Sequence, residues 1–537
     1  MLENRFVRFL ISGVLTLLLG LGINYLWMPV WSFRSAEMWF FIAAIAFWGA
    51  CISGFLDFVC DEGSITTFIF GGTCVISIIV LIVGFFTSAE IFHAKRYHNI
   101  VSISEANFSE DVPKFSESAP IFIVDMVTAQ HLGDRTVGSI KNATWYEVSN
   151  EYNLIKYQNG YYRISSLEYG NFFKYQDAKH TGIPGYVLVD VTNQEAKYVE
   201  LEETIKYSPS GHFSHLLKRH LRNVYPSYMF GKSFFEIDEE GTPYYITSVE
   251  APTIGLFGGK TVISFILTNA ITGQNNEYTT ETLPDWVEHA FSIDYLMSIT
   301  NYHQLYIDGW LNSQFSKTGV NKTSYQYLFG SSAGYNTTID TNGDIVFYTG
   351  VTPANRTETN LGFILANPRT GVLNYYVCAG AEESSAQRAA ESLVQNMGYS
   401  ATFPTILNVD GAETYFMLLK DKAGLVQRYA LCNMKDYTKV VQAETMVDAV
   451  SQYNQKLLGT NVSSEEKTKT GIISNLYQAE IEGFTYFYFT FAGSTDLYMS
   501  SIINSNKQVL LTIGSKVSIT YVNSFEEEVY MVTKIQF

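Results

Sequence analysis

The sequence predicts a mixed α+β protein in three parts. These are three membrane-crossing helices, a tandem array of β-meander-plus-helix repeats, and a small β-barrel at the carboxyl end. Three observations predict it. Charge vanishes from three long windows within residues 1–92, a glycine-turn and apolar-strand pattern recurs four times, and segment 465–537 alternates short aromatic runs with glycines.

Composition bounds the function classes. The chain has 537 residues, 35 of them basic and 52 acidic, for a net charge of −17. Binding a nucleic-acid backbone needs clustered Lys and Arg, so this balance disfavours phosphate-rich partners and no nucleic acid is expected. Charged residues are only 16% and aromatics 15%, an apolar content that rules out wholesale disorder. Five cysteines are too few for a disulfide-stapled scaffold.

The uncharged windows run from Phe9 to Phe33, Met38 to Leu56 and Gly63 to Ala89. A helix crosses the hydrocarbon with about 20 apolar residues, which predicts spans at about 9–31, 38–58 and 65–87. Tyr25, Trp27, Trp31 and Trp39 fall near their ends, where amphipathic rings favour the interface. A cleavable signal peptide is disfavoured, because the first apolar stretch is too long and lacks a small-residue cleavage site. Asp57, Asp61 and Glu62 fall at the end of the second span and read as a solvated loop in preference to an ion site. Flanking charges (Arg5 and Arg8; Arg34; Lys95 and Arg96) barely favour either orientation.

Residues 93–150 read as a linker and first α/β element, followed by repeats at 151–238, 239–340, 341–407 and 408–464. Each repeat opens on a glycine turn, at Gly160, Gly241, Gly343 and Gly411, that leads into an aromatic strand. Each then reaches an apolar strand ending at Asp190, Asn269, Asn367 or Asn433. Glycine supplies the positive φ of a tight hairpin, and an Asp or Asn side chain bonds the backbone two residues on. Helical stretches follow from His212, Glu382 and Glu444, and PDWVEHAFSIDYLMS fills the slot in the second repeat, with Pro284 in its first turn.

The Asp-Gly turn, the apolar strand and the Asp-x-x-Thr-Gly turn together resemble the PepSY-type module over roughly 150–460. The runs FIVDMVTAQHLGDRTVG, GIPGYVLVDV, IGLFGGK and TFPTILNVDG resemble a family of membrane-anchored proteins from Gram-positive bacteria. That resemblance implies a multi-pass plasma-membrane protein with its large domain outside the cytoplasm, and it carries no activity over. In 465–537, five strands with bends at Gly471, Gly483, Gly493 and Gly514 resemble an OB-like barrel. Its lysines (Lys467, Lys469, Lys507, Lys516 and Lys534) are accompanied by no arginine, and alternate residues of the aromatic run Phe484 to Phe491 read as barrel filling.

Candidate chemistry is sparse. GLFGGKT at Gly255–Thr261 lacks the first glycine of a phosphate loop and reads as a flexible hairpin tip. His212, His215, Lys218, Arg219 and Arg222 form either a solvated basic face or an anion-binding patch for headgroups or envelope polymers. His212 and His215 are spaced for a metal, but no third ligand lies near. Cys378 and Cys432 read as core side chains. The pairs Glu382–Glu383, Glu202–Glu203 and Asp238–Glu240 read as helix first turns or solvated hairpins. No cofactor or metal is expected. The favoured reading is a non-enzymatic membrane-anchored envelope protein whose repeats bind a protein or envelope polymer. The alternatives are an accessory subunit of a membrane enzyme or transporter, and an enzyme acting on envelope polymers.

Overall fold

A computed structural model of the chain describes residues 5–60, 63–115, 121–140, 142–328, 331–355, 359–458, 467–481, 484–501, 511–523 and 529–536. Asp61, Glu62, Gly483 and Lys507 lie outside the described residues.

The fold is mixed α+β. Three amino-terminal helices, α1 (Arg5–Trp27), α2 (Ala36–Cys60) and α3 (Ile65–Ser88), are long and apolar enough to cross a membrane. The first ends earlier than its uncharged window suggests. Met28 adopts a left-handed φ of 57°, and the Pro29 ring disfavours helical backbone in the residue before it. Asp57 is not in a solvated loop. It lies within α2 and pairs with Arg8 at 3.3 Å, while Ser64 and Thr67 donate hydroxyls to it at 2.9 and 2.7 Å.

Beyond a short helix, α4 (Glu90–His98), the chain builds four successive antiparallel meanders. The first comprises Asn153–Tyr157, Gly160–Tyr169, Ile183–Asp190 and Ala196–Ile205. The second comprises Met229–Ile237, Pro243–Ile254, Gly258–Asn269 and Asn275–Tyr278. The third comprises Asn336–Ile339, Ile345–Pro353, Thr359–Ala366 and Leu373–Ala381. The fourth includes Thr405–Val409, Ala412–Lys420 and Val426–Asn433.

Central strands such as Ile183–Asp190 are buried nearly throughout, which is why they read as unbroken apolar runs without a half-exposed alternation. Neighbouring meanders share cores. Leu188 and Ile164 pack in one cluster with Phe235 and Tyr245; Ile246 and Phe265 pack with Phe347 and Ile364; Phe363 and Tyr376 pack with Tyr415 and Met417.

The helix after the second meander corrects the sequence reading. It spans Ile293–Leu305, with the Ser292 hydroxyl accepting from the Tyr295 N–H, so Pro284 does not open it. The Glu288 and His289 N–H groups point instead at the Glu236 carboxylate, at 2.8 and 2.7 Å. Those two bonds hold the preceding segment in a non-helical path. After the first meander, His212–His215 form no α-helix. Phe213–His215 is a single 3₁₀ turn, and the helix is Leu217–Val224.

The chain leaving α4 does not enter the first meander directly. Ser104–Glu105 pairs in parallel with Asn374 and Tyr375 of the third, and the Val112 carbonyl accepts from Asn408 of the fourth at 3.0 Å. Only then does it return to the first, where the Ile123 N–H donates to Val191 at 2.9 Å.

The array is fastened to the helices at their ends. The Arg219 guanidinium stacks on Tyr25 at 3.9 Å and donates to its hydroxyl and carbonyl, each at 3.0 Å. The Trp31 N–H donates to Pro226 at 2.8 Å. The GLFGGK tip is docked, correcting its reading as flexible: Phe257 packs edge-on against Phe85 at 5.4 Å, and its N–H donates to Ser88 at 2.9 Å. A Cβ on Gly84 would come 2.1 Å from the Phe257 ring. Overpacking costs about 1–3 kcal/mol, so Gly84→Val should expose the hairpin and speed tryptic cleavage after Lys260 by roughly tenfold. Gly71→Val, with open space around it, should leave the rate at the parent value.

The chain divides into two compact units, Met1–Lys114 with Pro120–Val440, and Phe115–Ala119 with Val441–Phe537. The second contains the helix Met446–Leu458 and a closed barrel of Lys467–Ile481, Phe484–Phe491, Leu497–Ser501, Lys516–Asn523 and Val529–Gln536. Its third and fifth strands pair in parallel. Phe487, Phe489 and Phe491 fill the interior with Tyr498.

Candidate ligand cleft at the meander turns

The recurrent Asp and Asn residues all do the same work. Asp190 accepts the Thr192 N–H at 2.8 Å, Asn269 that of Ile271 at 3.0 Å, Asn367 that of Arg369 at 2.9 Å, and Asn433 that of Lys435 at 3.0 Å. Gly241, Gly343 and Gly411 hold φ of 87°, 78° and 85°, conformations that a side chain would strain. Gly160 does not. In that hairpin Gln158 carries the left-handed backbone, with φ of 54°.

Turns from three meanders meet. The Tyr161 hydroxyl donates to the Gly343 carbonyl at 2.8 Å, and that of Tyr186 to Gly241 at 3.1 Å. Beside these tethers opens a cleft of about 460 Å³. The first hairpin supplies Lys156, the second Asp238 and Glu239, the third Asp344 and Arg369, and the segment before the Ile293 helix supplies Asp285, Trp286 and Glu288.

Arg369 is clamped, at 2.6 Å to the Asp344 carboxylate and 3.0 Å to the Asp285 carbonyl. That pairing raises its guanidinium pKa. Trp286 lies against Tyr244, centroids 5.2 Å apart. Glu236, fully buried, accepts the two backbone N–H groups and His289 Nδ1 at 3.0 Å. Glu288 is 4% exposed. Burial first, then the neighbouring Glu236 carboxylate, push its carboxyl up to about 8 from an ordinary 4.5.

The proposed basic patch disperses. Arg222 is buried and donates to the carbonyls of Tyr225, Pro226 and Tyr228. Arg219 holds Tyr25 as described. Tyr175 donates its hydroxyl to the His212 carbonyl at 2.8 Å and contacts His215 Nδ1 at 3.2 Å. Burial lowers the pKa of His215. Lys218 alone stays exposed, on a second cleft of about 700 Å³. There Lys232 already pairs with Glu151 at 3.2 Å, and Ser233 bonds Thr247 at 2.7 Å.

Of the remaining candidates, Cys378 and Cys432 are buried, and burial pushes the Cys378 thiol up to about 12. Glu383 is in a helix first turn but is not solvated; it is 1% exposed and accepts from Ser324 and Tyr348, each at 3.0 Å. Glu202 and Glu203 are exposed on a strand, and Asp238 caps its own hairpin by accepting the Thr242 N–H at 2.8 Å. Among the described residues no group of three His, Cys, Asp or Glu side chains could hold a metal ion. Sequence reasoning missed Glu236, Trp286, Glu288 and His289. Three of them stand together in PDWVEHAF, where Glu and His beside Trp in a non-periodic stretch were the available signal. Neither protein-family models nor curated proteins match this chain.

Proposed function

We propose that this is a membrane-anchored binding protein of the cell envelope. Its three amino-terminal helices cross the plasma membrane, and its PepSY-like array, outside the cytoplasm, takes up a protein or an envelope polymer. The reading is non-enzymatic. The observation that carries it is the fastening of the array to the helix ends through Arg219, Trp31 and Phe257. Such fastening keeps the turn cleft in a fixed relation to the spans, as a binding platform requires and a loosely tethered domain does not provide. The barrel's strand order, first-second-third-fifth-fourth, supports an OB-like reading of the carboxyl-terminal unit.

Protease applied to intact cells tests the placement, and the array should be digested from outside. Full protection of the array would reverse the orientation and remove envelope polymers as partners. Purification of the full chain in mild detergent should yield a co-purifying partner. Turnover of an envelope polymer by the purified chain would overturn the non-enzymatic reading.

A further inference from the structure

We infer that the turn cleft binds a protonated amine, seated between the Asp285 and Glu288 carboxyl groups and the face of Trp286. The inference rests on the array being a binding surface and names the chemistry that the surface takes.

Charge on the cleft wall is the first argument. Five carboxyl groups and two cations line it. Arg369 is neutralised by Asp344 at 2.6 Å, and Asp238 is occupied with its own turn. What remains ionised near pH 7 is Glu239 and Asp285 against Lys156, with Glu288 adding its charge when it gives up its proton, a surplus that repels anions and attracts cations.

Glu288 is the second and independent argument. It is 4% exposed and lines the cleft, yet its carboxyl has no hydrogen-bond partner among the described residues, although its own N–H is bonded to Glu236. A carboxyl so shielded and open only to the cleft gains from a donor brought into it. An ammonium group brings three donors and no acceptor, which is what two carboxyl groups on one wall need. Trp286, half-buried and packed at a tilt of 40° against Tyr244, adds an aromatic face of the kind that attracts ammonium ions. A neutral sugar hydroxyl would bond Glu288 as well but would leave the charge surplus unanswered.

The same amine occurs on a lysine side chain of a peptide and on a de-acetylated amino sugar. Calorimetry on the full-length protein in mild detergent separates them with four probes: Nα-acetyl-lysine methylamide, its Nε-acetylated form, glucosamine and N-acetylglucosamine. At least one free amine should bind, and acetylating it should weaken binding by at least about tenfold. Asp285→Asn, at an exposed position, should weaken the amine by about tenfold, and Glu288→Gln by as much. Binding near pH 7 should release protons in wild type and not in Glu288→Gln, because the ammonium favours the ionised carboxylate. Equal affinity for free and acetylated probes overturns the inference, as does failure of both amines to bind or indifference of binding to both substitutions. These outcomes are independent of membrane placement. Amine binding by a chain that intact-cell protease cannot reach would keep this inference and remove the envelope reading.

Discussion

Replacing Asp57 by alanine is expected to destabilise the detergent-solubilised protein by about 1–3 kcal/mol, the cost of deleting a hydrogen-bonded carboxylate from between three helices. Arg8, 2% exposed, faces Asp57 from α1, and the same carboxylate gathers the Ser64 N–H at 3.0 Å and two hydroxyls from the start of α3. One side chain therefore joins all three helices. Removing it takes the carboxylate from the Arg8 guanidinium and from two hydroxyls, of which that of Thr67 keeps its bond to Ser53 at 2.9 Å. Thermal unfolding should show the loss, and Arg8→Met combined with Asp57→Leu should recover most of it, because no charge then stays buried. A double variant as unstable as the single would mean that α1–α3 cohere through something other than this pair.

The second large effect is a pH dependence. The Glu288 carboxyl titrates near 8 in the folded chain and near 4.5 when unfolded, so the folded state holds its proton more tightly. The associated stability is fully present below about pH 4.5 and is lost as pH rises through about 8. Each pH unit between the two is worth about 1.4 kcal/mol, so wild type should lose up to about 4 kcal/mol between pH 5 and 9 from this group. Glu288→Gln keeps the shape without the titration and should abolish that part of the slope. Denaturant melts at pH 5, 7 and 9 on both proteins check it. Parallel slopes would mean that Glu288 ionises freely. The groups around it are Glu236, Arg369, Asp344 and Lys156, so Glu236→Gln should flatten the wild-type slope in part.

Local chemistry was legible in the sequence and distant pairing was not. The three apolar helices show because charge is absent over twenty-odd residues, and the turns show because Asp190, Asn269, Asn367 and Asn433 act on backbone two residues away. The barrel's alternating aromatics were equally plain, since neighbours along one strand decide which face fills. By contrast, Pro284 seemed to start a helix because nothing nearby reveals that Glu236, 52 residues earlier, captures the N–H of Glu288. Arg219 and Arg222 looked like an exposed patch for the same reason. Their acceptors are backbone carbonyls and a tyrosine on α1, and carbonyls leave no trace in residue type. The cleft itself arises where hairpins from three meanders converge, a product of stacking that no single repeat encodes.

The two-residue strand Ser104–Glu105 has a consequence for synthesis. It leaves the ribosome roughly 270 residues before Asn374 and Tyr375, the neighbours it pairs with, a delay on the order of tens of seconds at ~5–20 residues per second. Through that interval Ser104–Glu105 has no strand of the third meander to pair with. The segment after α4 therefore cannot reach its final pairing in the order in which it is made. The stitch closes only when the third meander arrives.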